Sequence, residues 1–517
     1  MDKKVKERLH EDFDTFNKVS HQYENEEISA NDFRSVSTGF GEYLQRDNAQ
    51  MLRIRVPGGR IPLDHLKSII DACKYYDINW LKITAGQSLQ FHDLDPHAGR
   101  RLILRLLDAG IVTRGAGGDN PNNISASPLS GLMSDDYFDV LPYAEAAEAY
   151  LLKYTGIEPL PRKFKISFCS NPTNDTHVTI KDLGFLAKSN GKFDVYAIGG
   201  LGINPKVGVL TASDVDPDKI LYYMRTVLDV YMDNGNYHDR RKARSRFLQD
   251  TMGIDGFLKA FNEHLAKVME QGGLDIHPIP IVYTKKGIGE LPSDLAGDYH
   301  IHTQKEKGLY AVAYHPYGGY ISLKKISEVY DLIHDWDQVE IRLTNHGGFC
   351  VINCNAEEAK QLLPLFADGA SNRFEGSVAC VGRRRCDIGV ADSQALLRSC
   401  IEAVKKENFA PGVLPRMHIS GCISSCGDQP IGTIGWRGGR KKDAEGNPQD
   451  AFFFTYGGSG ALGKENLTSS KDAILASRIP DFLIELGHMV QNDNSTFKAW
   501  YPDHTSELEE LVAKYKA

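Results

Sequence analysis

Cysteine is scarce in this chain, with nine residues in 517, and an odd, low count cannot form a disulfide scaffold. Long apolar runs are missing as well. Nothing approaches the roughly 18 consecutive apolar residues of a membrane span, and the N-terminal MDKKVKERLHEDF has no apolar segment of a leader peptide. The expectation is a cytoplasmic protein that does not engage a membrane. There is no basic excess either. A formal charge of −8 argues against general binding of nucleic acid while leaving room for a local basic pocket. What remains is ordinary globular composition, 41% apolar and 25% charged, in a chain too long for one hydrophobic core.

Internal repetition organises the chain. Gly58-Gly59-Arg60-Ile61-Pro62-Leu63 returns as Gly318-Gly319-Tyr320-Ile321-Ser322-Leu323, an offset of 260 that runs ungapped to Lys82-Ile83-Thr84 against Arg342-Leu343-Thr344. Between these points each copy carries apolar residues at helical spacing, so each reads as strand, Gly-Gly turn, helix, strand. A second repeat, read at an offset of 253, aligns Lys163–Cys169 with Arg416–Cys422, and two β-rich runs, 193–202 and 451–460, both end in glycine loops. The order A, B, A′, B′ predicts a duplicated α+β protein with a cleft on a pseudo-two-fold axis. The charged stretch 1–35 lies outside the duplication and is expected to wrap the surface or fray.

Four cysteines cluster in B′: Cys380-x5-Cys386 and Cys422-x3-Cys426. Thiolates on tight loops suit an iron–sulfur cluster, which takes cysteine ligands almost exclusively. Zinc is the rival, although structural zinc sites favour tighter pairs. Arg383, Arg384 and Arg385 would offset the thiolate charge. Cys73, Cys169, Cys350, Cys354 and Cys400 are scattered and read as small buried hydrophobes.

At this point the chain resembles the sirohaem- and [4Fe–4S]-containing sulfite and nitrite reductases. Their C-x5-C and C-x3-C signature is accompanied here by Met51-Leu52-Arg53-Ile54-Arg55-Val56-Pro57-Gly58-Gly59, similar to the family's MLR-x-R-x-PGG. Thr113-Arg114-Gly115-Ala116 with Gly118-Asp119-Asn120 resembles TRGACGDN, and Leu160–Lys165 resembles LPRKFK. The resemblance covers about residues 36–490 and implies two ferredoxin-like half-domains plus two α/β sirohaem-binding domains. The boundaries expected are an extension 1–35, a half-domain 36–115, an α/β domain 116–275 carrying the substrate lysines, a second half-domain 276–370, and an α/β domain 371–517 carrying the cluster.

The resemblance also implies roles. Cys380, Cys386, Cys422 and Cys426 would hold the cluster, with Cys426 bridging to the haem iron. Lys82, Thr84, Gln87, Gln90, Arg162 and Arg246 would line sirohaem, whose eight carboxylates call for guanidinium and amide donors. Arg53, Lys163 and Lys165 would hold a small oxyanion, joined by Asn122 where the family usually has an arginine. Gly86 stands where the family has another arginine, and Ile423-Ser424-Ser425 departs from the usual cluster loop. The activity implied is six-electron reduction of sulfite to sulfide, with nitrite to ammonia as the near alternative. A ferredoxin, or a flavoprotein or iron–sulfur subunit, would donate the electrons. Rivals of other classes are a non-catalytic cofactor-binding paralogue and a zinc-stabilised protein. Gly458-Ser459-Gly460-Ala461-Leu462-Gly463 fits a dinucleotide fingerprint, but a paired glycine loop at the same point of the other half argues against that reading.

Overall fold

The first half-domain forms because its sequence alternates between two periods. In Gln50–Ile54 nearly every residue is buried, whereas Leu63–Tyr75 buries the helical stripe Leu66, Ile69, Ile70 and Cys73. The second copy repeats this with Tyr310–Tyr314 and with Leu323–Ile333, whose N-terminus is capped by Ser322 accepting from the Lys325 amide. The two helices pack against each other. These elements belong to a computed structural model that describes residues 2–46, 49–295, 297–469 and 472–517.

Each Gly-Gly turn is left-handed at its first residue, φ 60° at Gly58 and 62° at Gly318. Close packing adds to the requirement: a Cβ would lie 2.1 Å from Leu141 Cδ1 at Gly58 and 2.2 Å from Gln394 Oε1 at Gly318.

The half-domains exchange strands. The first sheet runs Glu42–Leu44, Gln50–Ile54, Leu89–Leu94, Trp80–Ile83 and then Tyr320–Ser322 from the other copy. The second runs Ile301–Thr303, Tyr310–Tyr314, Phe349–Cys354, Ile341–Leu343 and then Arg60–Ile61 from the first, with Ile341 opposite Ile61 and Arg342 opposite Arg60. Each copy therefore completes the other's edge.

The B sheets share one topology. Ser125–Ala126, Ile166–Cys169 and Leu183–Ala187 are parallel neighbours, and Phe193–Ala197 and Val209–Val215 add antiparallel. Val378–Ala379, Met417–Ser420 and Ile434–Lys442, followed by Pro448–Tyr456 and Ala473–Leu475, repeat it. Helices Leu141–Leu152, Ile220–Asn234 and Gly253–Gln271 cover the first core, and Ser393–Val404, Ile479–Asn492 and Thr505–Tyr515 the second.

The loops that follow Ile166–Cys169 and Met417–Ser420 correct the second repeat. Left-handed Asn174 and His177 answer Ser425 and Asp428, and the 3-10 turn Val178–Ile180 answers Gln429–Ile431, an offset of 251 rather than 253. Cys169 therefore matches Ser420, and Asn171 matches Cys422. For the N-terminal stretch only one of the two expected alternatives is excluded. Residues 3–24 do not fray: Lys3–Glu24 is a helix burying Val5, Leu9, Phe13 and Phe16. The basic run 238–246 contains the short 3-10 turns Arg240–Lys242 and, at its end, Ser245–Phe247. The glycine fingerprint at 458–463 leads into a bridge between Ser459 and Asn466 and not into a helix, so it is no dinucleotide site. Cys73, Cys169, Cys350, Cys354 and Cys400 are all buried.

By compactness the chain divides into two units: one of residues 1–200, 206–313 and 321–365, the other of 201–205, 314–320 and 366–517. Among the described residues no helix is long and apolar enough to cross a membrane.

The N-terminal helix ends at a charged knot that gives a pH test. Its Glu24 pairs with Arg100 at 2.8 Å, beside a carboxyl at Glu42 that is 1% exposed. Burial, partly opposed by Arg100 and reinforced by Glu24, pushes Glu42 up to about 8 from an ordinary 4.5. The folded chain therefore keeps a proton that the unfolded chain releases, and this group costs stability increasingly as pH rises from about 4.5 to about 8. Glu42→Gln is expected to raise Tm more at pH 8.5 than at pH 5, as thermal melts at both pH values would show.

Candidate functional site

In the first unit, strand register brings three of the expected residues into one row. Arg53 lies opposite Gln90, and Gln90 opposite Lys82, so their side chains share a sheet face. Gln90 and Lys82 are 2% and 4% exposed. With the Gln90 amide turned so that its oxygen faces Arg53, that oxygen accepts from Nε at 3.1 Å and Nη2 at 2.6 Å. Arg53 also donates to the Ala116 carbonyl at 3.3 Å and lies 5.3 Å over the Tyr43 ring. The Tyr43 hydroxyl accepts from the Gly118 amide at 3.2 Å and occupies the space where a side chain at Gly117 would begin.

Lys163 and Lys165 flank Phe164 in the extended lead-in to strand Ile166–Cys169. Phe164 is fully buried while both lysines are partly exposed, which is the alternation expected of one shared face. The backbone of Phe164 bonds that of Asn120 at 3.0 Å and Asn122 at 2.8 Å, so the 115–122 loop runs alongside the lysines. Asn122 turns its amide onto that loop, donating to Asn120 O at 3.3 Å and Gly115 O at 3.4 Å.

Arg162 pairs with Asp119 at 2.9 Å, which also takes Arg240 at 2.7 Å. Thr84 closes its own turn, its hydroxyl accepting from the Ser88 amide at 3.1 Å. Gln87 is fully buried, and its amide serves backbone groups: Nε2 donates to Ala126 O and Leu343 O, both at 2.8 Å, and Oε1 accepts from Ala126 N at 2.9 Å. At Gly86 an added Cβ would meet nothing nearer than Thr84 Oγ1 at 3.8 Å, so an arginine would have room there.

Three residues that sequence reasoning passed over hold this arrangement. Asp182 accepts from the Lys165 amide at 2.8 Å, from Arg244 Nη2 at 2.6 Å and from the Ser245 hydroxyl, which ties the lysine-bearing strand lead-in to the basic loop. Arg55 pairs with Glu148 and donates to the carbonyls of Gly115 at 2.8 Å, Pro121 at 2.7 Å and Asn122 at 3.1 Å. Tyr43 is the third. The alternation of Arg53 with Arg55 in MLRIRV was visible, but not that only one of the two would be fully buried.

The second unit carries the thiols. Cys380 and Cys386 sit on the loop after Val378–Ala379, and Cys422 and Cys426 on the loop after Met417–Ser420. Cys380 Sγ accepts from the Gly421 amide at 3.1 Å and lies 3.2 Å from Ser393 Oγ. Burial and then the charge of Cys426 push the Cys380 thiol up; burial, Cys426, Cys380 and Cys422 push Cys386 up to about 11. Thiolates held near one another are stabilised by the charge of a metal centre among them. Among the described residues no three His, Cys, Asp or Glu side chains converge on one point for a single ion. Arg383 is paired with Asp450 at 3.3 Å, and Arg385 lies 5.4 Å over Tyr320.

A carboxylate-rich macrocycle is tested by Arg246. This guanidinium is 4% exposed, and burial and the like charge of Arg244 bring it down to about 10 against the opposing pull of Asp182. A bound carboxylate would relieve that cost, so the residue fits such a group.

Duplicated half-domains, a buried cationic row and a quartet of thiols define a redox protein of the iron–sulfur class. Residues 43–107 match the model of the nitrite/sulfite reductase ferredoxin-like half domain, and residues 117–269 match that of the nitrite and sulphite reductase 4Fe-4S domain. These two stretches thus match domains described for nitrite and sulfite reductases. The second match falls on the copy that lacks the four thiols, because both copies share the fold. A ferredoxin–nitrite reductase of Synechococcus elongatus is 27% identical over 76% of this chain and 77% of its own length. A chloroplastic ferredoxin–nitrite reductase of rice is 26% identical over 84% and 74%, and a sulfite reductase [ferredoxin] of Mycolicibacterium paratuberculosis 23% over 87% and 81%. The solved structure of Mycobacterium tuberculosis NirA has the same fold, with a TM-score of 0.78, 22% identity and 96% of each chain covered.

Proposed function

We propose that this chain is a six-electron reductase of sulfite, using sirohaem and a [4Fe–4S] cluster and fed by ferredoxin or a similar one-electron donor. The observation that carries the reading is the cationic face formed by Lys163 and Lys165, with Arg53 on the neighbouring sheet. Among the described residues neither Arg53 nor Lys165 forms an ion pair with a carboxylate, so their charge is available to an anion. The cofactors, when bound, supply electron storage and delivery, which no side chain can do. The chain's own part is to bind and orient the oxyanion with Arg53 and to hold protons at Lys163 Nζ and Lys165 Nζ, where oxygens leave as water. Lys82, Gln90, Arg162 and Arg246 are proposed to receive sirohaem carboxylates, and Cys380, Cys386, Cys422 and Cys426 the cluster.

Nitrite is the second reading. It is favoured by the ferredoxin–nitrite reductases among the relatives and by Asn122, whose neutral amide supplies one cation fewer than the family's usual arginine. A singly charged anion needs less compensation than a doubly charged one. Rates with both anions, measured with a strong chemical reductant, test the two readings. Asn122→Arg is expected to raise kcat/KM for sulfite by roughly tenfold or more relative to nitrite, the discrimination of about 1.4 kcal/mol that one buried charge easily supplies. An unchanged ratio would remove Asn122 from the anion site.

A further inference from the structure

The corrected register of the B repeat sets two loop tethers side by side. In the first unit the Ser167 hydroxyl donates to the carbonyl of Thr176 at 3.4 Å; in the second, His418 Nδ1 lies 3.0 Å from the carbonyl of Gly427, the matching residue. Around these bonds the loops correspond closely. Asn174 and Ser425 are both left-handed, at φ 56° and 55°, as are His177 and Asp428, at 55° and 56°. His177 N donates to Asn174 O at 2.9 Å, and Asp428 N to Ser425 O at 3.1 Å.

Two differences separate the copies, and both bear on the peptide that follows Cys426. The tether is an imidazole in place of a hydroxyl, with a bond 0.4 Å shorter. Gly427 stands where Thr176 stands, and a Cβ there would lie 2.2 Å from the Ile419 carbonyl oxygen, so this loop is pressed onto its strand. The Gly427 amide is fastened as well, donating to Ser420 Oγ at 2.9 Å, and Gln429 Nε2 donates to Ser425 Oγ at 2.8 Å on the other side of Cys426. Cys426 is meanwhile the exposed member of the thiol quartet, with the least packing of its own to direct it.

We propose that His418 is the positioning residue of Cys426: by donating Nδ1–H to the Gly427 carbonyl it fixes the peptide after the thiol and so the direction in which Sγ is presented. This rests on the reading of Cys426 as a cluster ligand. Groups that orient metal ligands without touching the metal typically govern affinity by about 10–100-fold, and a bond to the peptide next to a ligand acts at that range.

The test uses the full chain reconstituted anaerobically with iron and sulfide, comparing His418→Leu, which removes the donor, with the similarly sized His418→Asn, which keeps one. Ser167→Ala removes the matching tether of the first unit. Iron release to a chelator should be about tenfold faster in His418→Leu, with a displaced cluster midpoint potential. His418→Asn should restore both, and Ser167→Ala should behave as wild type. Wild-type release and potential in His418→Leu, or equal losses in Ser167→Ala, would overturn the proposal. Should His418→Leu fail to fold, ¹⁵N-labelled histidine in the wild-type chain decides. The Nδ1 proton of His418 should exchange slowly and be shifted by the cluster, and a fast-exchanging, unshifted proton overturns the proposal. A wild-type chain that takes up no iron would instead remove the reading of the four cysteines, an outcome distinct from all of these.

Discussion

A chain with serine at position 426 should retain its fold and lose reductase activity to below about a hundredth of wild type. The hydroxyl of serine is a hard, weakly acidic donor and a poor substitute for a thiolate on iron. Loss of a ligand should exceed the roughly 10–100-fold that residues outside the ligand shell already command. The fold is expected to persist because Cys426 is exposed and its loop is held by other groups: Gly427 N on Ser420 Oγ, Gln429 on Ser425, and His418 on the Gly427 carbonyl. Iron analysis, visible absorption and circular dichroism of the purified variant check the prediction. Full activity with a complete cluster would mean that the quartet is not the ligand set.

Arg55→Met should destabilise the chain by about 3–5 kcal/mol, the usual consequence of leaving one member of a buried ion pair without its partner. Arg55 and Glu148 side chains are 1% and 5% exposed, and Arg55 alone bonds three carbonyls of the 115–122 loop. Its loss strands the Glu148 carboxylate and frees the loop that runs beside Lys163 and Lys165. The control is Arg55→Met with Glu148→Leu. Removing both charges should recover a large part of the stability, because a desolvated pair is commonly replaceable by apolar packing. Activity should not recover with it, since the carbonyls of Gly115, Pro121 and Asn122 stay untethered. Denaturation midpoints and kcat/KM for the single and double variants separate the two effects.

Much of this arrangement was legible in the sequence, for a definable reason. The 260-residue repeat survives because the Gly-Gly turn tolerates no side chain at Gly58 or Gly318, and because a helix and two strands must bury the same faces twice. The second repeat was misregistered because Cys169 and Cys422 are both cysteines after a serine-containing strand. Identity of residue suggested an alignment that the geometry of the following loop shifts by two. The N-terminal helix was overlooked for its charge, although Val5, Leu9, Phe13 and Phe16 recur at helical spacing. Asp182 carries no local signal: its three partners lie 17, 62 and 63 residues away. Arg53, Gln90 and Lys82 could be named individually from the resemblance, but their common row needed the strand pairing.

The exchanged edge strands have a consequence for how the chain is made. Strand Trp80–Ile83 is hydrogen-bonded on one side to its own copy and on the other to Tyr320–Ser322, which is synthesised some 240 residues later. At 5–20 residues per second that interval lasts roughly 12–48 s. Throughout it a partly apolar strand edge stands open on the ribosome, ready to pair with any neighbouring chain. The protein is therefore expected to depend on chaperone cover during synthesis, and slower translation should lengthen the exposure in proportion.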